Sequence, residues 1–263
     1  MTVVERRRFV AGARWGILIF VLGGWELAVQ TGHLDPFFCA QPSGIVLRLR
    51  DWVVDGTSVG PLWLQIVVTM YEASLGFLIG AVAGVIFGVA LGRSALLADI
   101  FSIYIKVGNS IPRVVLGSIS IVTLGLGLWS KVALAVVMVF FVVFGNAFQG
   151  VGEVDGAVID NACILGAKSW QVTRHVVLPS AMSWIFASLH VSFGFALIGA
   201  IVGELLGAHR GMGLLIATAQ GAFDSNGVFA AMIVIAVVAL LAEGLLTLAE
   251  RRLVVWRPEK LRD

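Results

Sequence analysis

The sequence predicts an all-α, polytopic membrane protein with about six transmembrane helices, and three observations carry that prediction. Hydrophobic residues fill 59% of its 263 positions and charged residues only 13%, about half the charged share of a soluble domain. Mean hydropathy is +0.98. Six windows suit membrane spans, each of which takes roughly 20 apolar residues as a helix: 14–31, 66–92, 100–125, 130–150, 180–207 and 228–249. A soluble fold has no interior large enough to hide so much apolar surface.

The elements follow in chain order. The first window contains Glu26 and is followed by no small-residue cleavage site, so it reads as a retained span rather than a signal peptide. Residues 32–62 form the longest connection. Its DPFFCAQPSG segment reads as a loop, and IVLRLRDWVVDG as a short amphipathic helix lying at the interface, with Trp52 and Trp63 in an aromatic belt. The second window repeats glycine every fourth residue, at Gly76, Gly80, Gly84, Gly88 and Gly92. Such a ridge lets another backbone approach closely, within one chain or across a dimer. Gly199, Gly203 and Gly207 repeat the spacing in the fifth window.

The third window is interrupted at GNSIPRVV. Pro112 removes a helix hydrogen bond there, and broken helices at membrane depth line cavities or lie buried in protein. Ser110, Pro112 and Arg113 are therefore candidates for a solute pathway, with Glu204 near the outer end of the fifth window. Arg113 has three open readings: a pathway cation, a permanent pair with Glu72 or Glu204, or a side chain reaching an interface. Glu204 reads equally as a helix-end residue and as a gate or solute contact.

Basic residues set the orientation. With the N-terminus inside, Arg6, Arg7, Arg8, Arg14, Arg93, Lys168, Arg174, Arg251, Arg252, Arg257, Lys260 and Arg262 fall in the cytoplasm. Arg48, Arg50, Lys131 and Arg210 fall outside, and both termini are expected inside. The basic pI of 8.7 thus reports topology rather than nucleic-acid binding.

Several chemistries are missing. The sequence has no G-x-x-x-x-G-K-[ST] phosphate loop, so ATP hydrolysis is not expected of this chain, and no H-E-x-x-H or C-x-x-C metal pattern. Its histidines, at 33, 175, 190 and 209, are scattered, and Cys39 and Cys163 fall on opposite sides of the membrane. No catalytic residues and no metal site are assigned.

The most informative stretch is polar: DNACILGAKSWQVTRHVVLP, residues 160–179. It reads as a short helix, a tight turn and a stop before the next span, the layout of a cytoplasmic handle. Its order is an acid, Asp160, then Ala162, Gly166 and, after nine intervening residues, Val176-x-Leu178-Pro179.

That stretch resembles the "EAA" loop of ABC-importer permeases, E-A-A-x-x-x-G-x9-I-x-L-P, with Asp160, Asn161 and Val176 as substitutions at unchanged spacing. Gly125-Leu126-Gly127-Leu128-Trp129-Ser130-Lys131 resembles the G-x-G-x-x-S-K turn of the nitrate/taurine/alkanesulfonate-type subfamily. The segment Glu204–Gly213 resembles that subfamily's E-M-L-G-A-x-x-G-L-G. At Asn109–Arg113 the sequence departs from its R-P-I-P-P-L-like segment, so no solute carries over.

The resemblance implies a type I importer permease fold in the cell inner membrane. One transmembrane domain is expected over 1–263: a span and external segment over 1–62, then a transport core over 66–249 with its coupling loop near 153–179. It also implies two ATPase subunits that bind the ATP and Mg, an extracytoplasmic solute-binding protein, a second copy of the chain, and no cofactor here. Asp160, Ala162, Leu165, Gly166, Trp170 and Pro179 would dock the loop on the ATPase. The cargo would be a small anion. The main alternative is a secondary transporter, for which the sequence lacks clear inverted repeats.

Overall fold

The computed structural model describes residues 3–253 and the side chains of residues 5–248. Arg257, Lys260 and Arg262, counted above toward the topology, lie outside the described residues, as do the side chains of Arg251 and Arg252. Every long element is helical. The single β-type pairing among the described residues joins Thr57 and Gly60 in a turn.

The chain forms two compact units. One combines the N-terminal segment through Gln65 with Leu215–Ile235; the other holds Ile66–Leu214 and the chain from Ala236 onward.

In the first unit, α1 (Val3–Gln30) is long enough to cross a membrane and is exposed over most of its length. A loop leads to α2 (Pro42–Val54). Helix α2 starts earlier than its hydrophobic pattern suggests because Pro42 occupies the first turn, where its missing amide costs nothing. Glu26 of α1 supplies the N-terminal acceptor: its carboxylate takes the Ser43 amide at 3.0 Å and the Ser43 hydroxyl at 2.8 Å. An anion suits the positive end of a helix.

Helix α2 is also tied to the turn that opens α11. The Gln41 amide donates to Asn226 Oδ1 at 3.1 Å, and Arg48 pairs with Asp224 at 2.8 Å. Of the two tryptophans read as an aromatic belt, Trp52 is buried with Ile45 on the inner face of α2 and Trp63 is exposed. The pattern identified the amphipathic helix but not which face is covered.

The second unit is built on α6. Helix α3 (Leu62–Gly92) lies along one side of α6 (Leu128–Gly152), and α9 (Leu178–Leu206) along another. The glycine ridge of α3 is the contact. A methyl group at Gly80 would sit 2.8 Å from Val139 Cβ, at Gly88 2.7 Å from Ala147 Cβ, and at Gly92 2.8 Å from Val151 Cβ. One at Gly76 would overlap Ala135. The partner of the ridge is therefore in the same chain. On the α9 side, a methyl at Gly199 would meet Ala135 Cα at 2.7 Å and one at Gly203 Lys131 Cα at 3.2 Å.

Apolar residues from these helices fill the gaps. Ala73, Phe77, Val139, Val143, Phe193 and Ala200 form one core, with Phe77 and Phe193 edge to face at 5.6 Å. A second core, of Ala147, Val151, Val172, Val177, Ala181 and Ile185, lies at the other end of α6.

The third window is a bent pair. Helices α4 (Ala95–Ser110) and α5 (Arg113–Leu124) meet at 89° across Ile111 and Pro112. Beyond α6 come the short helices α7 (Gly156–Ile164) and α8 (Ser169–Val172). After α9, α10 (Met212–Gly221) precedes α11 (Ser225–Leu253). Five helical stretches are long and apolar enough to cross a membrane, or six if the bent pair is one span.

Candidate functional site

Three places in the second unit concentrate the polar chemistry. The first is the connection from α6 to α9. Asp155 starts α7 by accepting from the Ala157 amide at 2.9 Å. The helix ends in two paired bonds: Gly166 N–H to Cys163 O at 2.9 Å and Ala167 N–H to Ala162 O at 3.0 Å. This reversal needs a left-handed residue, and Gly166 supplies it with φ of +85°. Gln171 then caps α8 through the Lys168 amide at 2.8 Å, and Arg93 ties α8 to the end of α3 through Ser169 at 3.2 Å.

The loop has two faces. Ala162, Val172 and Val177 turn inward onto the second core. Ile164, Leu165 and Trp170 turn outward and are 82%, 87% and 69% exposed. Asp160 and Pro179 are exposed as well. These large apolar side chains form an exposed apolar surface on a hydrogen-bonded turn.

The expected stop before the next span is absent. Ser169–Leu206 runs as one continuous helical stretch, and Pro179 sits inside it. The physical reason is a π-turn over Thr173–Val177, where Leu178 N–H bonds back to Thr173 O. The wider turn shifts the bonding register just ahead of a residue with no amide to give.

The second place is the α4–α5 bend. Ser110 spends its hydroxyl on Lys106 O at 2.8 Å. Ile111 is extended, Pro112 caps α5, and Arg113 is the first residue of the new helix. Half-exposed Arg113 lies over the Phe195 ring, 5.9 Å from its centroid, a cation–π contact. Among the described residues no ion pair joins Arg113 to Glu72 or Glu204. Phe195 and Glu204 are nine residues apart on α9, roughly 13 Å along a helix, which keeps the guanidinium away from the acid.

The third place is a buried charge cluster. Thr69 and Glu72 of α3, Lys131 of α6 and Glu204 of α9 are 2%, 4%, 1% and 0% exposed. Glu204 Oε1 accepts from the Thr69 hydroxyl at 2.7 Å, and Oε2 from the Gly213 amide at 2.6 Å. Thr69 in turn accepts from the Met212 amide at 2.8 Å. Glu204 thus caps α10, the helix-end role left open by the sequence. Lys131 donates to the carbonyls of Leu126 and Gly127, the latter at 3.1 Å.

This cluster was only half legible. Glu204 and Lys131 each stood in a quoted motif, but nothing in the sequence brought the motifs together, and Lys131 read as an external charge. Thr69 carried no signal. The glycines of the second motif now have a reason: a methyl group at Gly211 would collide with the Glu204 carboxylate, and one at Gly213 would come within 2.6 Å of Glu204 Cβ.

Comparison with known proteins identifies the family. Residues 76–255 match the family described as binding-protein-dependent transport system inner membrane component. A Bacillus subtilis permease named for aliphatic sulfonates transport, SsuC, is 30% identical over 96% of this chain and 90% of its own length. The riboflavin transport system permease protein RibX of Chloroflexus aurantiacus is 29% identical, covering 91% and 88% of the two chains. The taurine transport system permease protein TauC of Escherichia coli is 27% identical, covering 93% and 89%.

Among solved structures, the inward-facing MetNI methionine ABC transporter matches with a TM-score of 0.62 at 19% identity, over 73% of this chain and 95% of that one. An amino acid ABC transporter crystallised with histidines matches with a TM-score of 0.58 at 20% identity, over 79% and 96%. These two show the fold alone. The glycine-packed helices, the exposed loop between α6 and α9 and the match over 76–255 lead to one conclusion: the chain belongs to the inner-membrane components of binding-protein-dependent transport systems, the multi-pass permease subunits of ABC importers.

Proposed function

We propose that this permease moves a small anion of the sulfonate, taurine, nitrate or carboxylate type into the cytoplasm by alternating access. Arg113 at the α4–α5 bend supports that class. Its guanidinium is permanently charged, half-exposed and partnered by an aromatic face rather than an acid. A solute carboxylate or sulfonate would find two parallel N–H donors there. Permeases named for sulfonates and taurine among the relatives point the same way.

The loop of α7 and α8 is the proposed coupling element. The observation that carries this role is Leu165, 87% exposed beside the left-handed Gly166. Two ATPase subunits would receive it and bind the ATP and Mg; this chain needs no cofactor of its own. A second copy of the chain and an extracytoplasmic solute-binding protein would complete the importer. The chain would act as one transmembrane domain with both termini in the cytoplasm, following the bias of Arg6, Arg7, Arg8 and Arg14.

The test is uptake by the assembled importer in proteoliposomes, comparing taurine, an alkanesulfonate, nitrate, a carboxylate and riboflavin. ATP-dependent uptake of one of the anions supports the reading. Uptake of riboflavin alone, or of a cation, overturns it.

A further inference from the structure

Helix α2 is apolar on two faces, and the fold covers only one of them. Ile45 and Trp52 are buried on the inner face. Val46, Leu47, Val53 and Val54 are 65%, 56%, 73% and 71% exposed. Helical spacing groups these four on the opposite side, since Val46 to Val53 and Leu47 to Val54 each span two turns. Arg50 falls among them, one turn from both Val46 and Val54. It is exposed and, among the described residues, has no hydrogen-bond or ion-pair partner. Its neighbour Asp51 is turned about 100° further round the helix, and Arg48 is engaged by Asp224.

Two contacts within the first unit fix the depth of this face. Glu26, which holds the first turn of α2 through Ser43, lies four residues before the end of α1 at Gln30. At the helical rise per residue, α2 therefore begins roughly 6 Å short of the end of a membrane-crossing helix. Just ahead of α2, the Gln41 amide bonds to Asn226, the second residue of the crossing helix α11. Helix α2 is thus pinned at the level where α1 and α11 leave the membrane. Its outer face continues the exposed apolar surface of α1. Aliphatic side chains at that depth meet the boundary between headgroups and acyl chains. A long basic side chain among them lays its stem along the apolar surface and carries its charge to the headgroups.

We infer that the outer face of α2 is a phospholipid-binding surface, with its four aliphatic side chains in the acyl region and Arg50 holding the phosphate of an anionic headgroup. The guanidinium is permanently charged and offers two parallel N–H donors to phosphate oxygens. A zwitterionic headgroup brings its own ammonium to compete, so an anionic lipid such as phosphatidylglycerol is preferred. One basic residue near such a lipid favours it by roughly fivefold. The inference requires only that α1 and α11 cross the membrane; it concerns neither the solute nor the coupling loop.

The test places a bimane fluorophore at Val54→Cys, in a Cys39→Ser, Cys163→Ser background of the permease–ATPase complex. The complex is reconstituted in phosphatidylcholine nanodiscs. These carry a small, equal fraction of phosphatidylglycerol or phosphatidylcholine with a nitroxide near the top of the acyl chain. Both lipids are expected to quench the label, and phosphatidylglycerol to do so at a roughly fivefold lower mole fraction. Adding Arg50→Gln should abolish that preference while phosphatidylcholine quenches as before, which separates the headgroup contact from the depth of the helix. A label that neither lipid quenches overturns the proposal, including one shielded only when the solute-binding protein is added. Equal quenching by the two lipids with Arg50 intact, or a preference that survives Arg50→Gln, overturns the headgroup site.

Discussion

Gly84 of α3 faces Val143 of α6 so closely that a methyl group on Gly84 would lie 2.8 Å from Val143 Cβ and 3.0 Å from the Phe144 amide nitrogen. Backbone is part of that wall, so the neighbour cannot rotate away. Gly84→Leu is expected to destabilise the permease by about 1–3 kcal/mol, the usual range for overpacking a close contact. Gly145 on α6 has no neighbour within 4 Å, and Gly145→Ala should be neutral or slightly stabilising. Thermal melting of the two variants in detergent checks the pair; equal melting temperatures would count against a close α3–α6 seam.

The loop turn makes a different prediction, because no atom lies within 4 Å of a Cβ placed at Gly166. The cost there is conformational. At φ of +85° an L-residue is strained by about 1–2 kcal/mol, so Gly166→Asp should distort the turn while leaving the spans in the membrane. Leu165→Ala removes an exposed side chain and should leave permease stability unchanged. Both variants should weaken ATPase binding, the second by roughly tenfold if Leu165 is an interface anchor. Co-purification with the ATPase and solute-stimulated hydrolysis measure this, and wild-type values in both variants would remove the loop from the coupling role.

Arg113 touches Phe195 and, among the described residues, forms no ion pair. Arg113→Gln should therefore assemble with normal basal ATPase activity and lose most anion uptake. Arg113→Lys keeps the charge but not the paired donors, and should recover only part of it. Full uptake by Arg113→Gln would refute an anion-gripping role.

Asp224 serves two partners. Its Oδ2 pairs with Arg48 at 2.8 Å, and its Oδ1 accepts from the Gly227 amide at 2.9 Å at the start of α11. Losing a partly exposed ion pair costs about 0.2–1 kcal/mol, while losing a helix cap costs about 0.5–2 kcal/mol. Asp224→Ala should thus lower the melting temperature more than Arg48→Met, with Asp224→Asn, which keeps a capping oxygen, close to Arg48→Met. Equal melting of Asp224→Ala and Arg48→Met would show that the cap contributes nothing.

The sequence by itself determined the membrane class, the apolar windows and the break at Pro112, because each rests on local composition: apolar length or a missing amide. It also marked Gly166, whose role is set by one backbone angle. Tertiary structure alone decided what those features meet. The α3 ridge could equally have served another chain, and only the fold presents it to Ala135, Val139, Val143, Ala147 and Val151 of α6. Arg113 and Glu204 read as possible partners because opposite charges in an apolar sequence invite pairing. The distance along α9 separates them and hands Glu204 to Thr69 and Gly213 instead. The polar stretch read as ending in a stop before the next span, yet a π-turn ahead of Pro179 lets one helix continue. Periodicity records which residues share a face of one helix; which face of another helix lies opposite depends on contacts remote in sequence.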